Sequence, residues 1–577
     1  MKHFFTLLFL ISIFSSTQAQ ALFTDIAPQA GVNSTGRTYG VAFGDYDSDG
    51  LDDIYVSRHN LPNLLYRNLG NGTFEDKAAD AGVDHVGTTT MSIWGDIDND
   101  GDPDLYLGNR DEPNILYRNN GNGSFTDISA SAGVNDRYRT RSIMFSDINM
   151  DGYIDLYVAN LLAPNFLYKN NGDNTFTDIT VSSGTEDNQI AMGAMFFDYD
   201  NDGDPDLYLT HDANQRYILL RNNGDETFTD VSEVSNANYA GQGMGTDFGD
   251  INNDGFLDIY ITNLNANTML LNNGDGTFSD ISEACGATDI GMGWGISWLD
   301  YDNDGLQDIY MVNDSYYSPM PNILYKNIGE NSFEIVSENT PLMGMYGSYG
   351  TACSDVNNDG WVDIFLANAG LNDANQLFLN NNQNEANWIK IKAEGKNSNR
   401  SGIGTRVEVE AGGKLHIDEV TSGTGYASQN SFTLHFGLAD AEIIDRITVK
   451  WPSGVVDIYE NIAPNQGYTV TEGESIVNNV RDAALSENLV IAPLYPNPFS
   501  DQITIPIELK ESLQIKLSVL NLMGQTVAEI ASGKFEAGFH QFQWDGNNSD
   551  GKKAGAGIYL LKIETENGFA LHKMSLI

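Results

Sequence analysis

Two cysteines in 577 residues cannot staple a fold of this size. Cys285 and Cys353 lie in no metal-like spacing, and their apolar neighbours read them as separate buried small residues. Basic residues are scarce as well: 30 Lys and Arg stand against 80 Asp and Glu, a formal charge of −50. That balance repels phosphate backbones and anionic membrane surfaces, excludes a nucleic-acid partner and favours cations. Histidine is rare beyond the N-terminal segment (His59, His85, His211, His416, His435, His540 and His572), and none falls in a metal spacing. A nucleophile elbow and a phosphate-binding loop are also missing. The one long apolar run, residues 4–14, is too short to span a bilayer. With Lys2 before it and Ala19-Gln20-Ala21 after it, that run reads as a secretory signal peptide over residues 1–20, so the chain is expected outside the cytoplasm and without a transmembrane segment once mature.

Against these absences stands one abundance. The stretch "GDYDSDGLDDIYVSRHN", residues 44–60, recurs as a nine-residue acidic motif starting at residues 45, 96, 147, 198, 250, 300 and 355. The intervals are 51, 51, 51, 52, 50 and 55 residues, and a period near fifty means a repeat architecture. Each unit reads as four short strands, as in "YGVAFG", "DIYVSR", "NLLYRN" and "TFEDKA", with an Asn-Gly turn before the last. Four-stranded units repeated about a centre make a β-propeller, here of seven blades over residues 21–386. The seventh unit lacks a fourth strand, whereas the mature N-terminus begins "LFTDIAPQAGV" like the "TFEDKAADAGV" of the first unit. Residues 22–27 are therefore expected to complete the blade of residues 349–380.

Within the motif, oxygen-bearing residues hold fixed places. Position 1 is Asp45, Asp96, Asp147, Asp198, Asp250, Asp300 and Asp355, and position 3 is Asp47, Asp98, Asn149, Asp200, Asn252, Asp302 and Asn357. Position 5 is Asp49, Asp100, Asp151, Asp202, Asp254, Asp304 and Asp359, and position 9 is Asp53, Asp104, Asp155, Asp206, Asp258, Asp308 and Asp363. Position 6 is always Gly, and position 7 varies freely, as a backbone carbonyl ligand would allow. The pattern suits calcium, structural and up to seven ions; magnesium wants a stricter octahedron and ranks second. Solvated Asp-rich turns are the bland alternative, and seven copies of one spacing speak against it. The three loops with Asn at position 3 are expected to hold an ion less tightly, through lower charge. Seven ions would bring the formal charge from −50 to −36.

These repeats resemble the FG-GAP (VCBS) repeats of integrin α-subunit propellers and, more closely, the cartilage acidic protein family. The resemblance implies calcium in the loops between first and second strands, and an adhesive or ligand-binding role without an active site. Residues 387–472 resemble the ASPIC/UnbV domain, with Gly402, Gly404, Arg406, Phe436, Gly437, Trp451, Pro452 and Gly454 on its pattern. Alternation in "RVEVEA" and "RITVKW" says β-sheet independently, and the Gly and Trp-Pro positions read as turn and core. After a polar linker, residues 473–492, the segment 493–577 opens "LYPNPFSDQITI" and closes with "GIY" and "HKMSLI". It resembles the type A C-terminal sorting domain of the type IX secretion system, which implies a β-sandwich that directs cargo across the outer membrane of a Gram-negative bacterium. Lys552, Lys553 and Lys573 are then address and solvated surface.

Strand order puts the acidic loops and Asn-Gly turns on one face of the propeller and the remaining loops on the other. The sixth unit adds length there, 14 positions from Asp308 to Asn322 against 10 from Asp53 to Asn63. Arg58, Arg110, Arg137, Arg139, Arg141, His211, Tyr316 and Tyr317 are the candidate ligand-face residues, since Tyr and Arg anchor interfaces well. The expected partner is an extracellular glycan or protein. The competing reading is a polysaccharide hydrolase or lyase working with two loop carboxylates, although carboxylates committed to calcium are poor proton shuttles.

Overall fold

The computed structural model describes residues 22–338, 340–382, 384–474, 476–478 and 489–491. Between 499 and 576 it describes all but 501, 511, 521–525, 549–550, 556 and 566–567. The segments expected as signal peptide (1–20) and, for the most part, linker (473–492), and the Tyr495-Pro496-Asn497-Pro498 opening, lie outside the described residues. The chain packs as two units, one holding residues up to Trp388 with Ala393–Pro464, the other Ile389–Lys392 with Asn465–Ile577.

Seven four-stranded antiparallel sets, numbered as blades by their acidic loops, occupy residues 23–380 of the first unit, five as separate sheets and two joined within a nine-stranded sheet. Their second strands are apolar on both sides because each blade is sandwiched between two others: Ile54, Tyr55 and Val56 are all fully buried. The innermost strands are Thr38–Gly44, Val86–Gly95, Thr140–Ser146, Ala191–Phe197, Gly243–Gly249, Gly293–Leu299 and Ser348–Ser354. Each packs against the next, and the last against the first, so the ring closes. The missing strand is found where the sequence puts it. Phe23–Asp25 pairs antiparallel with Gln376–Asn380, Phe23 opposite Asn380 and Asp25 opposite Phe378, and the Phe23 ring is fully buried.

Two features go beyond the four-strand pattern. Blades 1 and 2 are joined edge to edge, because strand Asp53–Pro62 runs past its blade and pairs His59 with Thr88 on Val86–Gly95. One-turn helices also link blades, at Ala27–Ala30, Ala78–Ala81, Ser129–Ala132, Thr180–Ser183 and Ser282–Cys285. Each ends in a left-handed glycine, as Gly82 does at φ 78°. Cys285 and Cys353 are both free and buried.

The rest of the first unit contains a four-stranded antiparallel sheet ordered Lys414–Glu419, Arg406–Ala411, Ile444–Lys450, Val456–Ile462. In the second unit a three-stranded sheet (Leu489–Ile491, Ile503–Leu509, Gly538–Trp544) and a four-stranded one share a core of Ile503, Ile505, Ile507, Leu517, Val519, Leu561 and Ile563. Two sheets on one core make the expected sandwich. Among the described residues no helix is long and apolar enough to cross a membrane.

Candidate metal loops and the opposite face

Each acidic loop is wound by its own backbone. In blade 2, Asp96 accepts from the amides of Asp100 at 3.2 Å and Gly101 at 2.7 Å, and Gly101 stands at φ 98°, which only glycine adopts easily. Asp104 at position 9 is buried and accepts from Ile97 N at 2.9 Å and Asn119 N at 2.7 Å. Position 5 caps the turn, Asp100 Oδ1 taking the Asp102 amide at 3.0 Å. Position 3 is different. In Asp47, Asp98, Asp200 and Asp302 one oxygen, Oδ1, is buried and reached by no hydrogen bond of ordinary geometry. In the same four loops three carboxylates bring oxygens within 4.8 Å of one another: Asp45, Asp47 and Asp53; Asp96, Asp98 and Asp104; Asp198, Asp200 and Asp206; Asp300, Asp302 and Asp304. Burial, then neighbouring loop carboxylates, push Asp53 up to about 9 and Asp96 up to about 6 against their backbone hydrogen bonds. Clustered hard oxygens that resist ionising alone, one of them without a donor, are a donor set that fits a hard divalent cation.

The third strand supplies something the loop sequence does not show. The residue before its final Asn is Arg67, Arg118, Lys169, Arg221, Leu271, Lys326 and Leu379 in blades 1 to 7. Arg67 Nε lies 2.6 Å from Asp47 Oδ2, and Lys326 pairs with Asp302 and, at 2.9 Å, with Asp304. Arg118 and Arg221 work against burial to lower Asp98 and Asp200. Loops with Asn252 or Asn357 at position 3 have Leu there, and Lys169 beside Asn149 is matched by an ion pair to Glu226. Counting positions 1, 3, 5 and 9 with this base, four aspartates and a cation give −3, and three aspartates without one also give −3. The charge argument for weaker asparagine loops therefore lapses.

The Asn that follows this base ties the ring together. Its Nδ2 donates to the position-2 carbonyl of the preceding loop in every blade: Asn68 to Val356 (2.9 Å), Asn119 to Tyr46 (2.9 Å), Asn170 to Ile97 (2.9 Å), Asn222 to Ile148 (2.8 Å), Asn272 to Tyr199 (2.8 Å), Asn327 to Ile251 (2.8 Å) and Asn380 to Tyr301 (2.7 Å). The acidic loops are thus also the joints between blades. Sequence reasoning passed over these asparagines; their recurrence at one place in every repeat was the available signal.

Residues 396–439 pack on the acidic-loop face. Arg400 N donates to Asn99 Oδ1 at 2.8 Å, Asp96 N to Ser401 Oγ at 2.9 Å, Arg406 Nη2 to Gly255 O at 2.6 Å, and Ala439 N to Asn303 O at 2.8 Å. Arg406 is buried in an ion pair with Glu419 at 3.0 Å. A cavity of about 210 Å³ lies beside that pair, lined by Asp198, Asn201, Arg406, Glu419 and Trp451 among others. Trp451 is a core residue, as expected, and Phe436 is buried as well. Gly437 is instead a close-approach site, where a Cβ would collide with Asp300 and Asn303.

The loop "TSGTGYASQNS", residues 421–431, threads the middle of the ring. Phe145 N donates to Ser422 O (3.3 Å), Thr246 N to Gly425 O (3.3 Å), Val41 N to Ala427 O (3.1 Å), Trp94 N to Gln429 Oε1 (2.8 Å) and Cys353 N to Asn430 Oδ1 (2.9 Å). Ser428–Gln429 adds a short parallel strand to Val41–Ala42. The otherwise exposed amides of the innermost strands find their acceptors in this loop.

On the opposite face the eight candidate residues separate. His211 is not on the surface: it is fully buried, its ring 3.0 Å from Asp187 Oδ2 and 2.7 Å from Arg216 O, because it ends a central strand. Arg58 braces its own loop through Pro62 O (3.1 Å) and Thr35 O (2.8 Å). Arg110 and Arg139 gather on the Asp111 carboxylate at 3.7 and 2.8 Å, Arg137 on its carbonyl at 3.0 Å. Arg141 Nη1 reaches the Tyr426 hydroxyl at 3.3 Å. Tyr316 and Tyr317 are 65% and 78% exposed, and Tyr316 donates to Asp373 at 2.8 Å. Residues not anticipated, Arg37, Tyr39, Trp294 and Tyr349, begin or precede innermost strands, a place shared by Arg141.

Fold and loops together define a β-propeller with a repeated oxygen-donor loop. The chain belongs to the FG-GAP-like repeat family, whose model matches residues 45–107, 96–158, 147–209, 198–261, 250–311 and 300–366. The ASPIC and UnbV model matches residues 395–477, and the FlgD Ig-like domain model residues 499–568. Cartilage acidic protein 1 of Mus musculus is 30% identical over 217 residues, 36% of this chain and 33% of its own length; the Homo sapiens protein is 29% identical over 216 residues, 35% and 32%. The chain thus spans about a third of these curated relatives. Among solved structures, an Agrocybe aegerita lectin recognising non-reducing terminal N-acetylglucosamine is 20% identical, covering 53% of this chain and 81% of its own, TM-score 0.36. Saccharomyces cerevisiae Sqt1 is 10% identical, covering 74% and 98%, TM-score 0.39.

Proposed function

We propose that this chain is an exported, calcium-binding β-propeller that binds a glycan or protein outside the cell, in adhesion or ligand capture. The observation that carries the calcium reading is the buried, donor-free Oδ1 at position 3, repeated in four loops beside two further carboxylates. Bound calcium supplies the positive charge those carboxylates need, and positions 1, 3, 5 and 9 of all seven loops are the side chains that would hold it. The same loops join neighbouring blades and seat residues 396–439, so calcium acts here as structural cement.

Export is supported by the apolar N-terminal run and by the C-terminal sandwich, which carries Gly557-Ile558-Tyr559 where the type IX sorting pattern has them. In this reading the mature protein is secreted or held on the outer-membrane surface. Calorimetric melting of the mature chain in calcium and in excess chelator tests the calcium claim. One site contributes about 2.7 kcal/mol at a free concentration one hundredfold above its Kd, and several sites add. A melting temperature unchanged by excess chelator would overturn the reading.

A further inference from the structure

The chain is acidic almost everywhere, yet the rim of blades 1–3 opposite the acidic loops is basic. Six arginines lie there: Arg37, Arg58, Arg110, Arg137, Arg139 and Arg141. Arg58 is spent on backbone carbonyls. The other five face two carboxylates: Asp111, shared by Arg110 and Arg139, and Glu112, 3.5 Å from His85. Asp84 and Asp136 stand in the same loops beside His85 and Arg137, so five arginines against four carboxylates leave +1 in a molecule of −50. The Arg37 side chain makes no hydrogen bond or ion pair among the described residues, and Arg141 makes one, to Tyr426. His59 feels this field, since burial and then Arg37 and Arg110 lower its pKa.

Aromatic rings meet the arginines at the same place. Trp294 stacks on Tyr349 at 4.4 Å and meets Tyr426 at 4.7 Å, and Tyr39 lies 5.4 Å from Tyr349 and 5.7 Å from His59. Tyr426, brought up the ring by the 421–431 loop, is the floor common to both groups, its ring against Trp294 and its hydroxyl against Arg141. Tyr39, Trp294 and Tyr349 remain partly exposed around it, the Tyr349 hydroxyl donating to Asp314 at 3.0 Å.

We propose that this axial mouth binds an anionic glycan, with carboxylate or sulfate groups held by the arginines of blades 1–3 and sugar C–H faces laid on Tyr39, Trp294 and Tyr349. Guanidinium forks match both anions, and flat rings offer apolar area to sugars at little entropic cost. The net charge of −50 opposes any polyanion, so binding here is carried by the local arginines and should weaken steeply outside this patch. The inference rests on the extracellular reading above but not on the metal loops, which lie on the other face.

The test is titration calorimetry of the mature chain, at constant calcium, with a galacturonate hexamer, a sulfated galactose hexamer, cellohexaose and hexaglutamate. A charged hexamer should bind, more weakly as salt rises, and at least about tenfold more tightly than cellohexaose or hexaglutamate. Which charged hexamer binds tells carboxylate from sulfate. Replacing Arg137 and Arg139 together by Gln should cost about tenfold or more in affinity without moving the melting temperature. If that pair destabilises the loop, Arg37→Gln, free of side-chain bonds, should still weaken binding. Failure of both charged hexamers, equal binding of hexaglutamate, or unaffected variants would overturn the proposal. Calcium content of the same sample separates that failure from failure of the metal loops.

Discussion

Gly423, like Gly425, stands where the loop through the ring leaves no room for a side chain. It stands at φ 94°, and a Cβ there would meet both the Ile143 carbonyl oxygen and Met144 Sδ at 2.7 Å. Gly423→Ala therefore combines two costs. A side chain in this backbone region costs roughly 1–3 kcal/mol. Forcing a packed wall aside costs about 1–3 kcal/mol more, because the carbonyl belongs to an innermost strand that cannot swing away. Gly413, in the hairpin turn between Arg406–Ala411 and Lys414–Glu419, isolates the first cost: it has φ 75° and nothing within 4 Å of its Cβ position. Urea midpoints of Gly423→Ala and Gly413→Ala, measured in calcium, should differ by about 1–3 kcal/mol, with Gly423→Ala the weaker protein. Limited proteolysis should also cut it faster within residues 421–431. Equal losses in the two variants, with no change in cleavage, would refute a loop seated against blade 3.

Three further outcomes follow from particular side chains. Phe23→Ala should cost about 3–5 kcal/mol, since the ring is fully buried in the strand that completes blade 7; a loss near zero in thermal melting would mean the ring is not closed there. Asp47→Asn should weaken calcium binding and Arg67→Leu strengthen it, each roughly three- to tenfold, while the double variant, at −3 like the loop of Asn252, returns to the original affinity. Chelator competition at subsaturating calcium reads this, and a double variant as weak as Asp47→Asn would sink the charge balance. Asp247 is buried with Oδ2 unpartnered, and burial, then Asp418, raises its carboxyl well above the usual range. A raised folded pKa means the native state keeps a proton the unfolded state loses, so stability falls as pH rises through that window. Asp247→Asn should thus stabilise more at about pH 8 than at about pH 5; a melting difference that does not grow with pH would contradict this.

The repeats made the fold legible because blade-forming information is local. Strand, Asn-Gly turn and acidic loop lie within one period, and even the closure by Phe23–Asp25 shows as a fourth-strand sequence at the wrong end of the chain. The one-turn helices were legible in principle, in the Ala-Gly-Val that follows fourth strands. What stayed hidden depends on distant partners. Arg67 lies twenty residues beyond Asp47, so its pairing is invisible in the motif. The loop of residues 421–431 has the Gly and Ser of a turn, and its acceptors serve strands that begin at Thr38 and end at Ser354. His211 shows the converse error, a loop-like neighbourhood around a residue whose burial is decided by the next strand.

The most direct test of the central claim is a calcium count: metal analysis of the mature chain after free ion is removed, set against protein concentration from aromatic absorbance. Equal loop charge predicts about seven ions, one for each acidic motif, asparagine loops included. Four ions would confine binding to the Asp47, Asp98, Asp200 and Asp302 loops and contradict the balance of −3. None at all would contradict the calcium-cemented propeller itself.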